Sequence, residues 1–201
     1  MNNKFFDLKK EKQDRMINGA LKVFAENSYK RASTDKIVKE ASISKGLLFH
    51  YFISKAGLYE FVYDYSVKYM NLELSNLVNS GEKDYFQVRR QIEYSKLQIM
   101  KNYPYMQMFL NNVSLEDSVD FDSSMKKKIE AYNETNSLMY ANVDTSLFAE
   151  KVDVVKLYNI VDLTVEGLMR EAFRDNNPSP DSLYKETVSY FDMLKELTYK
   201  K

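Results

Sequence analysis

The chain of 201 residues has no cysteine, 3 prolines, 5 glycines and a single histidine. Without cysteine, neither a disulfide framework nor a thiolate metal site can form, and a reducing cytoplasm is the natural compartment. Because proline and glycine most often interrupt helices, their scarcity predicts long helices and an all-α protein. The sequence has no apolar run of the length that crosses a bilayer and no apolar h-region near its N-terminus, so we expect neither membrane insertion nor export.

The formal net charge of zero conceals an asymmetry along the chain. Residues 1–60 carry 12 lysines and arginines against 7 acidic residues, a net charge of +5, which leaves −5 on the remainder. A basic segment fused to an acidic one is typical of a phosphate-binding module joined to a domain with another task. Charges that only keep helices hydrated are the alternative explanation.

Two short apolar segments separated by a polar turn form the most informative pattern in the chain. Residues 34–41 carry apolar side chains at the spacing of a buried helical stripe. The turn at residues 42–44 leads into residues 45–52, with the sequence KGLLFHYF, as a second short helix. Two short helices joined by a turn of about 3 or 4 residues predict a helix-turn-helix, whose second helix enters the major groove of DNA.

This segment resembles the tetracycline-repressor (TetR) family of bacterial one-component regulators over about the first 65 residues. The resemblance rests on the motif at residues 45–52, on Lys55 behind it, and on the apolar end of a first helix at residues 21–25. It implies about nine helices, with a three-helix DNA-binding head at residues 1–55 and a helical ligand-binding and dimerisation body at residues 56–201.

The resemblance also implies contacts with a double-stranded DNA operator at eight positions: Thr34, Lys45, Gly46, Leu47, Phe49, His50, Tyr51 and Lys55. Lys45 can bind guanine O6 and N7 or a phosphate, and Leu47 can contact a thymine methyl group. We expect Tyr51 to face the sugar-phosphate wall with its hydroxyl on a phosphate. Thr34 and Lys55 are expected to hold phosphates at two helix starts.

Ordinary structural roles stay open for several of these residues. Phe49 would serve equally well in the core of the head, Lys55 as a solvated helix start, and His50 as a surface residue. The chain also departs from the family pattern at Ser28 and Ser42, where glycine is usual, and at Leu47, where threonine is frequent. The specific signal is therefore the whole constellation of residues.

The last two predicted helices, at residues 145–174 and 181–199, carry apolar stripes. Operator half-sites require two heads, so the function implies a homodimer. Paired across a two-fold axis, the stripes would form a four-helix interface, as the resemblance implies. Its predicted contacts are Val165, Leu168, Val188, Phe191 and Leu194. The alternative is that the stripes pack on their own body.

The body is dense in tyrosine, methionine and phenylalanine over residues 85–140. Such side chains suit a cavity for a small apolar or aromatic effector, although plain core packing is the alternative. The residues predicted to bind the effector are Tyr94, Met100, Tyr103, Met106, Phe109, Tyr132, Tyr140 and Tyr158.

Little in the sequence favours catalysis. The absence of cysteine and of a glycine-rich phosphate loop leads us to predict no catalytic residue, no metal site and no cofactor. Three functions compete: a ligand-responsive cytoplasmic repressor, a helical protein-interaction module, and an enzyme with a hidden carboxylate pair. The first is favoured because it alone uses the helix-turn-helix and the basic head together.

Overall fold

The computed structural model describes residues 3–115, 123–174 and 179–200. Within these ranges the chain forms nine α-helices, which confirms the predicted all-α fold. The helices are α1 (Lys10–Glu26), α2 (Thr34–Glu40), α3 (Lys45–Phe52), α4 (Lys55–Leu77), α5 (Tyr85–Asn102), α6 (Met106–Leu115), α7 (Ser123–Leu138), α8 (Val154–Ala172) and α9 (Pro180–Thr198). Two short 3-10 helices, η1 (Asn3–Asp7) and η2 (Thr145–Leu147), precede α1 and α8. No helix in these ranges is long and apolar enough to cross a membrane.

Side-chain caps define several of the helix starts. Ser33 accepts a hydrogen bond from the backbone N–H of Asp35, and Ser44 accepts one from Leu47. The long helix predicted to start near residue 145 instead begins at Val154, with Asp153 as its N-cap. The prediction was wrong there because both segments offer capping residues, and the first forms only η2.

The chain divides into two compact units. The first comprises Met1–Leu72 and Asn102–Asn133, and the second comprises Glu73–Lys101 and Glu134–Lys201. The predicted boundary between residues 55 and 56 falls inside the first unit, because α6 and most of α4 belong to that unit as well. The division into a head at residues 1–55 and a body at residues 56–201 therefore stays a prediction about function.

The first unit has a core built around α1. Met16, Ile17 and Leu21 on α1 are buried, as are Ile37 on α2 and Leu48 on α3. Of the side chains predicted for the core of the head, those at positions 21, 24, 37, 48 and 52 are buried, whereas the one at 38 is half-buried. The small core of the helix-turn-helix was thus predicted almost completely.

The second unit has a separate aromatic core. Its buried members are Tyr85, Phe86, Phe148, Leu157, Val161 and Phe191. The ring of Tyr158 stacks on that of Tyr85 at a centroid distance of 4.1 Å. Arg89 is buried beside this core and donates hydrogen bonds to the Tyr140 hydroxyl at 2.8 Å and to the Asp162 carboxylate at 2.7 Å. Burial of a charge requires such partners, and the guanidinium can bind several at once.

Candidate nucleic-acid interface

Helix α3 has one buried face and one exposed face. Leu48 and Phe52 are buried against the rest of the first unit. Lys45, Gly46 and His50 are exposed, whereas the side chains at positions 47 and 49 are half-buried. The exposed side chains at the start of α3 are those that a recognition helix would direct at base edges.

The turn before α3 requires a left-handed backbone. Ser42 has φ of 52°, and its N–H donates to the Lys39 carbonyl at 3.1 Å. The N–H of Ile43 donates to the Val38 carbonyl at 3.0 Å, so the C-terminal carbonyls of α2 are satisfied. Serine adopts here a conformation that glycine adopts without strain, as the sequence predicted for this departure from the family pattern.

Tyr51 does not face outward as predicted. Its side chain is only 7% exposed, and its ring packs edge-on against Phe5 at 5.8 Å. The prediction was wrong because η1, which precedes α1, brings Phe5 against the side of α3 that the helix-turn-helix alone would leave open. A phosphate contact through the Tyr51 hydroxyl stays a prediction.

Lys55 holds the loop between α1 and α2. Its ammonium donates to the carbonyl oxygens of Tyr29 at 2.8 Å, Ala32 at 3.3 Å and Lys30 at 3.4 Å. The same nitrogen lies 4.5 Å from the centroid of the Tyr29 ring, which adds a cation–π contact. Sequence reasoning missed this role. A phosphate contact by Lys55 would require these hydrogen bonds to be exchanged.

Lys45 at the start of α3 is paired with Asp35 on α2, with Nζ and Oδ1 2.8 Å apart. Both side chains are exposed, and exposed ion pairs contribute about 1 kcal/mol or less. The ammonium can therefore exchange this partner for a phosphate or a base. Thr34, the residue before Asp35, is half-buried at the start of α2.

The residue that follows α3 has an unusual conformation. Ile53 has φ of 64° and ψ of −47°, and its side chain is 75% exposed. For a β-branched residue a positive φ is a genuine outlier. Nothing in the sequence pattern drew attention to this residue.

Comparison with known proteins bears on the same segment. Residues 16–62 match the family described as bacterial regulatory proteins, tetR family. The chain belongs to this family. The expected resemblance is thereby confirmed, and the matched residues contain α2, α3 and the turn that joins them.

Two curated relatives align over part of the TetR-family chain. It is 30% identical over 118 residues to YuxN of Bacillus subtilis (strain 168), an uncharacterized HTH-type transcriptional regulator, covering 59% of this chain and 40% of that protein. It is 46% identical over 44 residues to the HTH-type transcriptional regulator UidR of Escherichia coli (strain K12), covering 22% of each. The alignments thus span less than half of these relatives.

Solved structures share the fold over nearly the whole length. A TetR family transcriptional regulator from Chloroflexus aurantiacus J-10-FL superposes with a TM-score of 0.69 at 18% identity, covering 100% of this chain and 99% of the other. The TetR family regulator PfmR from Thermus thermophilus gives 0.58 at 16% identity, covering 90% and 97%. At such identities the likeness shows the fold alone.

The residues predicted to bind an effector are divided between the two units. The first unit contains Tyr103, Met106, Phe109 and Tyr132, and the second contains Tyr94, Met100, Tyr140 and Tyr158. Phe109 packs on Tyr59 at 5.3 Å, and Tyr140 lies 5.8 Å from Tyr85. Most members therefore have packing partners within their own unit, and the ligand-binding role stays a prediction.

Phe191 is not available to a dimer interface. It is fully buried within the second unit, where its ring lies 6.3 Å from that of Phe86. The prediction was wrong for this residue because an apolar stripe does not reveal which part of it packs internally. Val165, Leu168, Val188 and Leu194 are half-buried.

A different face of α8 and α9 carries exposed apolar side chains. They are Val155, Ile160 and Leu163 on α8 and Tyr190, Met193 and Leu197 on α9. Positions 160 and 163, and positions 190, 193 and 197, have the spacing of three or four residues that places them on one side of a helix. That spacing was available in the sequence, but the stripe with more buried members concealed it.

Proposed function

We propose that the protein is a ligand-responsive transcriptional repressor that binds a near-palindromic operator as a homodimer. The observation that carries the proposal is the exposed face of α3, where Lys45, Gly46 and His50 stand on a base of buried Leu48 and Phe52. A helix with short or basic side chains on its outer face can approach the base edges of the major groove.

The charge of the head supports the same function. Residues 1–60 carry a net charge of +5, and phosphate neutralisation by lysine and arginine supplies much of the affinity for DNA. The weak pair between Lys45 and Asp35 leaves that ammonium exchangeable. We expect operator affinity to fall steeply with salt concentration.

The exposed apolar faces of α8 and α9 support a homodimer. Leu163 on α8 is 69% exposed, and Leu197 on α9 is 65% exposed. Apolar faces of this kind mark interaction sites, and a two-fold arrangement of two such helices from each copy would cover them. A homodimer presents two copies of α3, which fits two operator half-sites.

Selection from a random DNA pool, followed by fluorescence anisotropy, tests the proposal. We expect an enriched near-palindrome, and we expect Lys45→Ala to weaken its binding by about 1–3 kcal/mol if that residue contacts a base edge. The matched control is Lys126→Ala, since Lys126 is an exposed lysine on α7. Absence of any enriched sequence, with weak binding that does not respond to salt, would contradict the proposal.

A further inference from the structure

An open groove runs along α4 within the first unit. Its volume is about 620 Å³, which lies in the range of pockets that accept drug-sized molecules. The lining residues of α4 fall between Gly57 and Leu72 at spacings that place them along one side of the helix, and Phe6 of η1 also lines the groove. None of the residues predicted to bind an effector lines it.

Four aromatic rings line the groove in sequence. Phe6 lies 6.2 Å from Phe61, which lies 6.0 Å from Tyr65. Tyr65 and Tyr69 are 6.1 Å apart with an interplanar angle of 20°. Phe6 is 54% exposed and Leu72 is 56% exposed, so large apolar surfaces of the lining stay in contact with water. Such a lining suits a flat aromatic molecule.

The charges of the lining favour an anion. Glu60 and Asp64 each accept from the Lys128 ammonium at 2.8 Å, so their negative charges are compensated. Lys68 is exposed, and within residues 3–115, 123–174 and 179–200 it forms no ion pair. The uncompensated charge on the lining is therefore positive.

The groove is connected to α1 through a hydrogen-bonded chain. The hydroxyl groups of Tyr65 and Tyr103 lie 2.6 Å apart, and that of Tyr103 donates to the Asp14 carboxylate at 2.7 Å. Lys10 donates to the same carboxylate at 2.6 Å. Burial, together with the bonds to Tyr65 and Asp14, raises the pKa of Tyr103, so its hydroxyl stays protonated and able to donate. A change at Tyr65 is thus transmitted to α1 by directional contacts.

We propose that this groove binds an aromatic molecule with a single acidic group, with its rings against Tyr65 and Tyr69 and its anion at Lys68. The bound molecule acts on α1 because rings placed against Tyr65 compete with the contact between Tyr65 and Tyr103. A ligand shifts a conformational equilibrium only through different affinities for the two states, and the altered Tyr65 position supplies that difference. The regulatory half of the inference rests on the proposed function, whereas the binding half does not.

Two fluorescent probes that differ in charge test the binding half. Anilinonaphthalene sulfonate is aromatic with one acidic group, and phenylnaphthylamine is its uncharged analogue. We expect Lys68→Gln to weaken binding of the sulfonate by about fivefold, the effect of one solvent-exposed charge, and to leave the uncharged probe unaffected. Lys126→Gln, which removes an exposed lysine elsewhere on the unit, should change neither affinity.

A reporter in the groove locates the bound probe. The sequence contains no tryptophan, so Leu72→Trp introduces the only indole, at an exposed lining position. We expect energy transfer from this indole to the bound sulfonate. Absence of transfer overturns the location, and equal effects of Lys68→Gln and Lys126→Gln on the sulfonate overturn the role of Lys68. Equal affinity of the unaltered protein for the two probes overturns the requirement for an acid.

Operator release tests the regulatory half. The sulfonate probe should weaken operator binding by about fivefold or more, the lower end of usual coupling. Tyr65→Phe keeps the ring but removes the hydroxyl, so it should retain probe binding and lose most of that effect. Operator affinity that is unchanged by bound probe overturns the regulatory half alone. A protein that binds no DNA contradicts the proposed function, while probe binding still decides the first half.

Discussion

A Cβ atom on Gly19 of α1 would lie 2.8 Å from the backbone nitrogen of Ala41 at the end of α2. A contact this short with backbone cannot be relieved by turning a side chain. The two helices therefore approach each other closely because residue 19 lacks a side chain, and this contact sets where α2 and the following turn lie on α1.

Gly19→Ala should destabilise the protein for this reason. Overpacking costs about 1–3 kcal/mol, from which the better helix propensity of alanine recovers about 1 kcal/mol. Thermal unfolding followed by circular dichroism measures the effect, and operator affinity should fall with it. An unchanged melting temperature would mean that α2 moves away without cost.

Gly46→Ala is the matched control. A Cβ atom on Gly46 has no neighbour within 4 Å, so the substitution should leave thermal stability unchanged or slightly higher. The added methyl group stands between the backbone of α3 and the DNA, so specific binding should be lost. Full operator affinity of this variant would place the close approach to DNA elsewhere on the head.

Ile53→Gly should stabilise the protein. A β-branched residue at φ of 64° is strained by about 1–2 kcal/mol, and glycine accepts this conformation, although its greater freedom in the unfolded chain removes part of the gain. Ile53→Val keeps the branched side chain and should show no gain. Denaturant unfolding of both variants gives the comparison, and equal midpoints would mean that no strain is stored there.

Lys55→Met should loosen the loop between α1 and α2. It keeps the apolar length of the side chain but removes the donor to three carbonyl oxygens, at an expected cost of about 1–2 kcal/mol. Lys39→Met, at an exposed position of α2, should have little effect. The salt dependence of operator binding should not change. A slope reduced by about one unit would instead assign Lys55 to a phosphate, as the sequence predicted.

Leu163→Glu should give a folded monomer. The side chain is 69% exposed in the single chain, so the charge harms only an interface that covers it. Leu138→Glu, at a position of α7 that is similarly exposed, should remain dimeric. Sedimentation velocity separates the two outcomes. A dimer that survives Leu163→Glu would contradict the proposed use of this face.

The helix-turn-helix could be predicted from the sequence because its determinants are local. Ser44 precedes an apolar run and caps it, and the spacing of Leu48 and Phe52 indicates their burial without reference to the rest of the chain. Tyr51 and Phe191 were assigned wrongly because their partners, Phe5 and Phe86, are distant in sequence. Periodicity identifies an apolar face but does not identify what packs on it.

The groove along α4 was missed for a related reason. Tyr65 and Tyr69 were interpreted as part of the buried stripe of a long helix, and both are only half-buried. A row of aromatic residues at helical spacing has the same pattern whether a neighbouring helix covers it or not. Only the position of η1 and of Lys128 shows which part of the row stays open.

The buried guanidinium of Arg89 determines how α8 is turned about its own axis. Apolar contacts tolerate sliding and rotation, whereas the hydrogen bond from Arg89 to Asp162 requires that carboxylate to face α5. A shift by one residue would rotate α8 by about 100° and separate the pair. Since Leu163 follows Asp162 directly, the same bond fixes the direction in which the exposed leucine points. A polar contact inside one subunit thereby determines which surface that subunit can offer to a second copy.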